Sequence, residues 1–210
     1  MKLTTELRRQ RLVAIVRGGD APSCLRTVVA LAEEGIGLIE VSLTSERAWS
    51  VIEQGIRELG QQARLGVGTV LSADEAKRAL DVGAEFAVTP NVGSGAVEAH
   101  VLGLPVLVGA LTPTEIAAAV ELGADAVKLF PAGAGGPDYL RAVRAPFPHV
   151  DFVPVGGVHL DDVAAYRTSG AIAVGIGSPL VGDAADGGDL PALRARARRL
   201  ISSLNDWSAS

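Results

Sequence analysis

The chain has 210 residues, 48% of them hydrophobic and 20% charged, enough apolar material for an α/β domain with a full core and too much for a disordered chain. A formal net charge of −5 with no basic run gives no reason to expect nucleic acid or an anionic membrane as partner, so an anionic ligand has to be held by local groups. The one cysteine, Cys24, excludes an internal disulfide framework and fits a reducing cytoplasm; Met1 to Gln10 is too polar for a signal peptide, and no stretch approaches a membrane span.

In chain order, runs rich in Val, Ile, Leu and Gly recur about every 20 to 25 residues, each followed by a helical pattern. The first, Leu12–Arg17, predicts a strand that leads through Gly18-Gly19 into a helix over Pro22–Glu34, capped by Asp20 or Ser23. Strand Ile36–Leu43 and helix Ala48–Leu59 follow, then strand Arg64–Val70 and helix Ala73–Val82, opened by Ser72. Strands Glu85–Thr89 and Pro105–Ala110 precede a helix over Thr114–Leu122, with Thr112 as its cap and Pro113 in its first turn. Strands Ala126–Phe130 and Asp151–Gly156, helix Asp161–Thr168 (opened by His159-Leu160-Asp161) and strand Ile172–Gly177 complete the series. The acidic segment Asp183–Asp189 reads as a linker to an arginine-rich helix, Leu190–Leu204, whose arginines are expected on a solvated face.

Gly35, Gly60, Gly83, Gly123 and Gly170 each follow a helical run, where a glycine turns the chain back toward a strand. Eight such βα units with right-handed crossovers predict one (β/α)8 TIM barrel over residues 1–210, a single domain. A doubly wound open sheet fits less well, because the first turn, Arg17-Gly18-Gly19-Asp20, lacks the G-x-G-x-x-G spacing.

Lys128 stands inside Ala126-Val127-Lys128-Leu129-Phe130, an apolar run that otherwise reads as a buried strand. A buried ammonium is costly, so a lysine placed there has a depressed pKa and a nucleophilic free amine, or else its tip reaches a carboxylate partner at the strand end. Glu40 interrupts Leu38-Ile39-Glu40-Val41 in the same way. The pair reads either as a structural ion bridge or as an acid/base group beside a nucleophile. Arg17, Ser42, Thr44, Thr69 and Thr89-Pro90-Asn91 gather at the strand ends where a barrel carries its chemistry. Gly156-Gly157 and Gly177-Ser178, after the last two strands, expose backbone N–H groups suited to a phosphate. His100, His149 and His159 are scattered and build no metal motif, and no cofactor is called for.

These residues together resemble a known family. Ile39-Glu40-Val41, Gly66-Val67-Gly68-Thr69-Val70, Val88-Thr89-Pro90, Lys128-Leu129-Phe130-Pro131, Phe152-Val153-Pro154-Val155-Gly156-Gly157-Val158 and Gly175-Ile176-Gly177-Ser178 are similar to motifs of the class I 2-keto-3-deoxy-6-phospho-sugar-acid aldolases. These are the phosphogluconate (KDPG), phosphogalactonate (KDPGal) and 4-hydroxy-2-oxoglutarate (KHG) enzymes, and the likeness runs from about Leu12 to Leu180. The resemblance implies cleavage of a small phosphorylated keto acid to pyruvate and glyceraldehyde 3-phosphate in a cytoplasmic homotrimer. It makes Lys128 the Schiff-base lysine and Glu40 the general acid/base. Arg17, Gly68, Thr69, Pro90 and Phe130 would surround the pyruvyl carboxylate and chain, and Gly156, Gly157, Gly177 and Ser178 would cradle phosphate.

Three positions depart from the common pattern. Thr44 stands where some members carry arginine, Val108-Gly109 where many have Pro-Gly, and Val155 where the phosphogluconate enzymes commonly have threonine. Valine at 155 makes that position a candidate for epimer specificity, on the galactonate side. Two other readings use the same residues: a phosphosugar isomerase or epimerase without a covalent adduct, and a catalytically silent phosphate binder.

Overall fold

The computed structural model describes residues 2–205 and Trp207. Helix α1 (Leu3–Gln10) precedes β1 (Leu12–Val16), α2 (Ala21–Glu33), β2 (Leu38–Ser42), α3 (Ala48–Leu59), β3 (Arg64–Gly68) and α4 (Ala73–Asp81). The series continues with β4 (Ala87–Val88), α5 (Ser94–Val101), β5 (Val106–Ala110), α6 (Pro113–Leu122), β6 (Ala126–Leu129) and α7 (Gly136–Arg144). It ends with β7 (Phe152–Pro154), α8 (Val163–Thr168), β8 (Val174–Ile176), the one-turn α9 (Ser178–Val181) and α10 (Leu190–Asn205).

All ladders are parallel, in the order β7-β6-β5-β4-β3-β2-β1-β8. The ring closes between β7 and β8 through an isolated bridge, Val155 with Gly175, and through the Ile172 N–H donating to the Phe152 carbonyl at 3.0 Å. The expected barrel is therefore present. Its strands are shorter than the apolar runs suggest, because the backbone leaves the ladder early at the C-terminal ends; Thr69, for example, turns to φ 64° directly after β3.

Asp20 rather than Ser23 caps α2, accepting from the Ser23 N–H, while Ser72 and Thr112 form reciprocal caps with Glu75 and Glu115. The five glycines expected after helices all have positive φ; Gly123 lies in the left-handed helical well, at ψ 33°, and Gly60 outside it, at ψ −115°.

Alternation along the strands sorts side chains into two apolar bodies. Ile39, Val41, Val127 and Leu129 point out toward the helices, whereas Val13, Leu38, Phe86, Leu107, Ala126, Val153 and Ala173 fill the lumen. Gly66 makes room for Phe86, since a Cβ there would come within 2.4 Å of the ring. The charged N-terminal stretch is not a bare tail: Leu3 and Leu7 of α1, one turn apart, are buried with the lumen cluster and stopper its N-terminal end.

Of the α10 arginines, Arg198 and Arg199 are exposed as expected, whereas Arg194 and Arg196 are half-buried. Arg194 and Arg198 pair with Glu33 and Glu34 at the end of α2, and Arg196 donates to the Leu180 and Val181 carbonyls at 2.7 and 2.9 Å. Leu193, Ala197, Leu200 and Leu204 bury the opposite stripe. Among the described residues no helix is long and apolar enough to cross a membrane.

Candidate active site

Lys128 and Glu40 share the inward parity of their strands, directly above Ala126 and Leu38, so both charged groups enter the lumen. They are 5% and 3% exposed. Among the described residues no carboxylate lies within 4.0 Å of the lysine amine, so a Lys128–Glu40 ion bridge is absent, and the amine sits 4.9 Å from the Phe130 ring centroid instead. Burial pushes the Glu40 carboxyl up, against the opposing pull of Lys128 and Arg17. Burial pushes the Lys128 amine down, with Glu40 acting against that shift and Arg17 adding to it. Both groups are thus drawn toward their neutral forms.

Gly68 gives Glu40 its seat. A Cβ at 68 would come within 2.7 Å of the Glu40 Oε1, so this glycine packs against the carboxyl and is not itself among the residues that line the cavity. The next residue, Thr69, does reach the wall in a left-handed conformation, φ 64°, which a β-branched side chain rarely adopts. It is fixed on every side: the Gly68 carbonyl accepts from the Leu43 N–H, the Val70 N–H donates to the Val88 carbonyl, and the Thr69 hydroxyl lies 2.9 Å from the buried Ser42 Oγ. Thr44 completes this hydroxyl chain, 2.8 Å from the same oxygen, and points its bonding inward rather than replacing a charge at the mouth.

A cavity of about 420 Å³ opens over these groups at the C-terminal ends of the strands. Arg17, Glu40, Thr69, Pro90, Lys128, Phe130, Val155, Gly156, Gly157, Gly177 and Ser178 line it, so every expected site residue except Gly68 is brought together. Gly156 and Gly157 have φ 84° and 76°; a Cβ at Gly156 would strike the Phe130 ring at 2.8 Å. Among the described residues neither the Gly157 N–H, the Ser178 N–H nor the Ser178 hydroxyl has a partner within the chain. Val155 is held over the cavity by Gly175, where a Cβ would come within 2.6 Å of its Cγ2.

Sequence reasoning missed Asp186. The segment read as a linker packs on the turn that carries Arg17: a Cβ at Gly18 would meet the Ala185 carbonyl oxygen at 2.3 Å, and Asp186 Oδ1 accepts from the Gly19 N–H at 2.5 Å. The Gly18 carbonyl in turn accepts from the Glu46 N–H at 3.0 Å. Asp186 lines the cavity and clamps the Arg17 turn at once. The visible sign was the pair Gly18-Gly19, which marked a close backbone approach without naming what approaches. Among the described residues no group of three His, Cys, Asp or Glu side chains is placed to hold a metal ion.

The KDPG and KHG aldolase family model matches residues 3–194. The chain belongs to that family. It is 34% identical over 171 residues to the 2-dehydro-3-deoxy-6-phosphogalactonate aldolase of Escherichia coli, covering 80% of this chain and 83% of that one. It is 36% identical over 163 residues to the 2-dehydro-3-deoxy-phosphogluconate aldolase of Treponema pallidum, covering 76% and 77%. The solved "Native KDPGal structure" superimposes with a TM-score of 0.88 at 29% identity, covering 95% of this chain and 96% of that one.

The shift of the Lys128 amine toward its neutral form can be checked directly. Labelling of Lys128 by an amine-reactive reagent, followed by mass spectrometry across pH, is expected to persist well below the ordinary lysine value of 10.5, since only the free amine reacts. Ionised Glu40 holds the lysine pKa up, so Glu40→Gln should move the labelling midpoint to still lower pH. A midpoint at the ordinary value, or one moved upward by the substitution, contradicts this electrostatic assignment.

Proposed function

We propose that Lys128 is the Schiff-base residue of a class I aldolase and that Glu40 moves its protons. The chain is an aldehyde-lyase of the KDPG/KDPGal type, acting on a 2-keto-3-deoxy-6-phospho sugar acid. The observation that carries the residue assignment is the unpaired, buried Lys128 amine facing the cavity beside Glu40.

In this reading the Lys128 Nζ adds to the C2 ketone and forms a carbinolamine. Neutral Glu40 protonates the departing hydroxyl, leaving an iminium and a Glu40 carboxylate. The carboxylate takes the C4 hydroxyl proton as the C3–C4 bond breaks, and the iminium accepts the bonding electrons. Glyceraldehyde 3-phosphate leaves; the resulting enamine is protonated at C3, and hydrolysis of the imine frees pyruvate and the amine. A carboxyl whose pKa is raised by burial suits both halves of this cycle.

Arg17 and the Thr69 hydroxyl stand where the substrate carboxylate would dock, with Pro90 and Phe130 as the walls of the pyruvyl slot. The open N–H groups of Gly157 and Ser178, with Gly156 and Gly177 beside them, suit the phosphate. Phosphate contact at that distance from the bond being broken supplies binding energy that orients the reacting carbon. The one cysteine, Cys24, is a buried free thiol, so the fold relies on no disulfide, which supports a cytoplasmic location. Leu71, Val97 and Val101 expose apolar surface along α5 and the turn beside it, Val101 at 71%, and this face suits a subunit contact in the homotrimer that the family resemblance implies.

Borohydride reduction in the presence of pyruvate tests the central claim. The wild type is expected to gain a stable pyruvyl adduct at residue 128, and Lys128→Ala to lose both the adduct and retro-aldol turnover while staying folded. An isomerase on the same barrel would gain no adduct, and trapping retained in the variant would refute the assignment. Val101→Asp should convert the assembly to monomers in sedimentation; an unchanged trimer would place the interface elsewhere.

Val155 bears on the epimer. An apolar wall offers no hydrogen bond to a substrate hydroxyl and discriminates poorly, whereas threonine of similar volume offers one. The galactonate-type substrate is therefore expected to be accepted at least as well as the gluconate type. Val155→Thr should shift the ratio of kcat/KM toward gluconate by about tenfold, the scale of one hydrogen bond. A wild-type preference for gluconate that the substitution leaves in place would remove Val155 from the specificity determinants.

A further inference from the structure

The N-terminal end of the barrel, opposite the proposed active site, holds a larger cavity of about 610 Å³. Arg8 and Arg11 reach it from α1 and the residue that follows, Arg144 from the last turn of α7, and His149 and Asp151 from the approach to β7, with Trp207 alongside. Asp151 is the one carboxylate on the described wall. Three guanidinium groups against one carboxylate leave two positive charges in excess with His149 neutral, in a chain whose formal net charge is −5.

The three arginines are not equally satisfied. Arg8 pairs with Asp151, and Arg11 donates from Nη1 to the Leu204 carbonyl at 2.9 Å. Arg144 has no hydrogen-bond acceptor or ion-pair partner among the described residues, and its Nε is buried without one. Gly170, at φ 96°, backs the group closely, since a Cβ there would come within 2.7 Å of the guanidinium Cζ. Favourable interaction with the α7 dipole accounts for an arginine in that last turn. It does not account for a guanidinium packed closely against Gly170 with a buried N–H unmet, or for two more arginines brought to the same space from α1 and the residue that follows it.

A buried donor left unmet is costly, and a guanidinium fork is matched in shape and charge by a phosphate. We propose that this basal cavity binds a dianionic phosphate group, free or carried on a small ester, with Arg144 as the principal contact and Arg11 and Arg8 on its flanks. The site is separate from the cradle at the barrel mouth and takes no part in the aldol chemistry.

Trp207 provides the readout. Trp49→Phe leaves it the one tryptophan in the chain. At constant ionic strength, inorganic phosphate is expected to change its emission saturably while chloride does not, and Arg144→Gln should weaken the response about tenfold or more, the scale of a lost charge-assisted hydrogen bond. Adding Gly157→Asp, aimed at the mouth, should leave the response in place. Titration with glycerol phosphate in parallel separates the sources: tighter binding of the ester points to a carried phosphate, tighter binding of the ion to the free form. Calorimetry with phosphate on the Gly157→Asp chain, which keeps Trp49, repeats the test with and without Arg144→Gln. An emission that phosphate does not move, together with no heat of binding, overturns the proposal. So does a response that Arg144→Gln leaves unchanged.

Discussion

Two ionisable groups inside an apolar lumen are the constraint on which the rest of this structure depends. Lys128 and Glu40 cannot both be charged there without either a direct bridge or a heavy desolvation cost, and they are not in contact as an ion pair. Burial answers by pushing the carboxyl up and the amine down, each toward its neutral form, while each group pulls the other back toward its charge. That state requires a lumen closed to bulk water from below. Helix α1 supplies the closure with Leu3 and Leu7, and Phe86, admitted by Gly66, fills the layer between this stopper and the polar groups. The charged sequence at the N-terminus thereby bears on chemistry at the far end of the barrel.

Above that layer the mouth is shaped by what the backbone is allowed to do where side chains are missing. Gly68 leaves room for the Glu40 carboxyl, Gly175 for Val155, and Gly156 for the Phe130 ring. Thr69 is the contrary case, a branched residue held in a left-handed conformation whose cost is on the order of 1–3 kcal/mol. It persists because the hydrogen bonds at Gly68 and Val70 and the Ser42 hydroxyl over-determine it. Such a fixed hydroxyl is oriented before any substrate arrives, so less freedom is lost on binding.

Much of this was legible in the sequence for a local reason. Strand parity is a period of two, so a charge between apolar neighbours at 40 and 128 declares itself without knowledge of the fold. Glycines after helices and before a phosphate are equally local. What stayed hidden depends on partners distant in the chain. That Gly68 makes room for the Glu40 carboxyl is not visible locally, because Glu40 belongs to the neighbouring strand. Asp186 lay in an acidic segment of low complexity, and its bond to the Gly19 N–H spans 167 positions. Arg194 of α10 looked solvated because its acids, Glu33 and Glu34, end a helix at the other end of the sequence. Leu3 and Leu7 are two apolar residues among charges, too few to stand out until a barrel end exists for them to cover.

The clamp on Arg17 shows how these long-range contacts set chemistry rather than stability alone. Arg17 ends a strand, where the backbone is leaving its ladder and a long side chain has the most freedom to lose on binding. The loop after β2 holds the Gly18 carbonyl, and the segment before α10 holds the Gly19 N–H through Asp186. That segment is itself tied down, since Arg196 of α10 grips the carbonyls of α9 and the Cys24 Sγ meets the Ala185 carbonyl at 3.5 Å. The direction of the guanidinium therefore follows from helix packing at the end of the chain as much as from β1. Asp186 also lines the cavity that Arg17 lines, so one carboxylate both forms part of the wall and fixes the turn beside it.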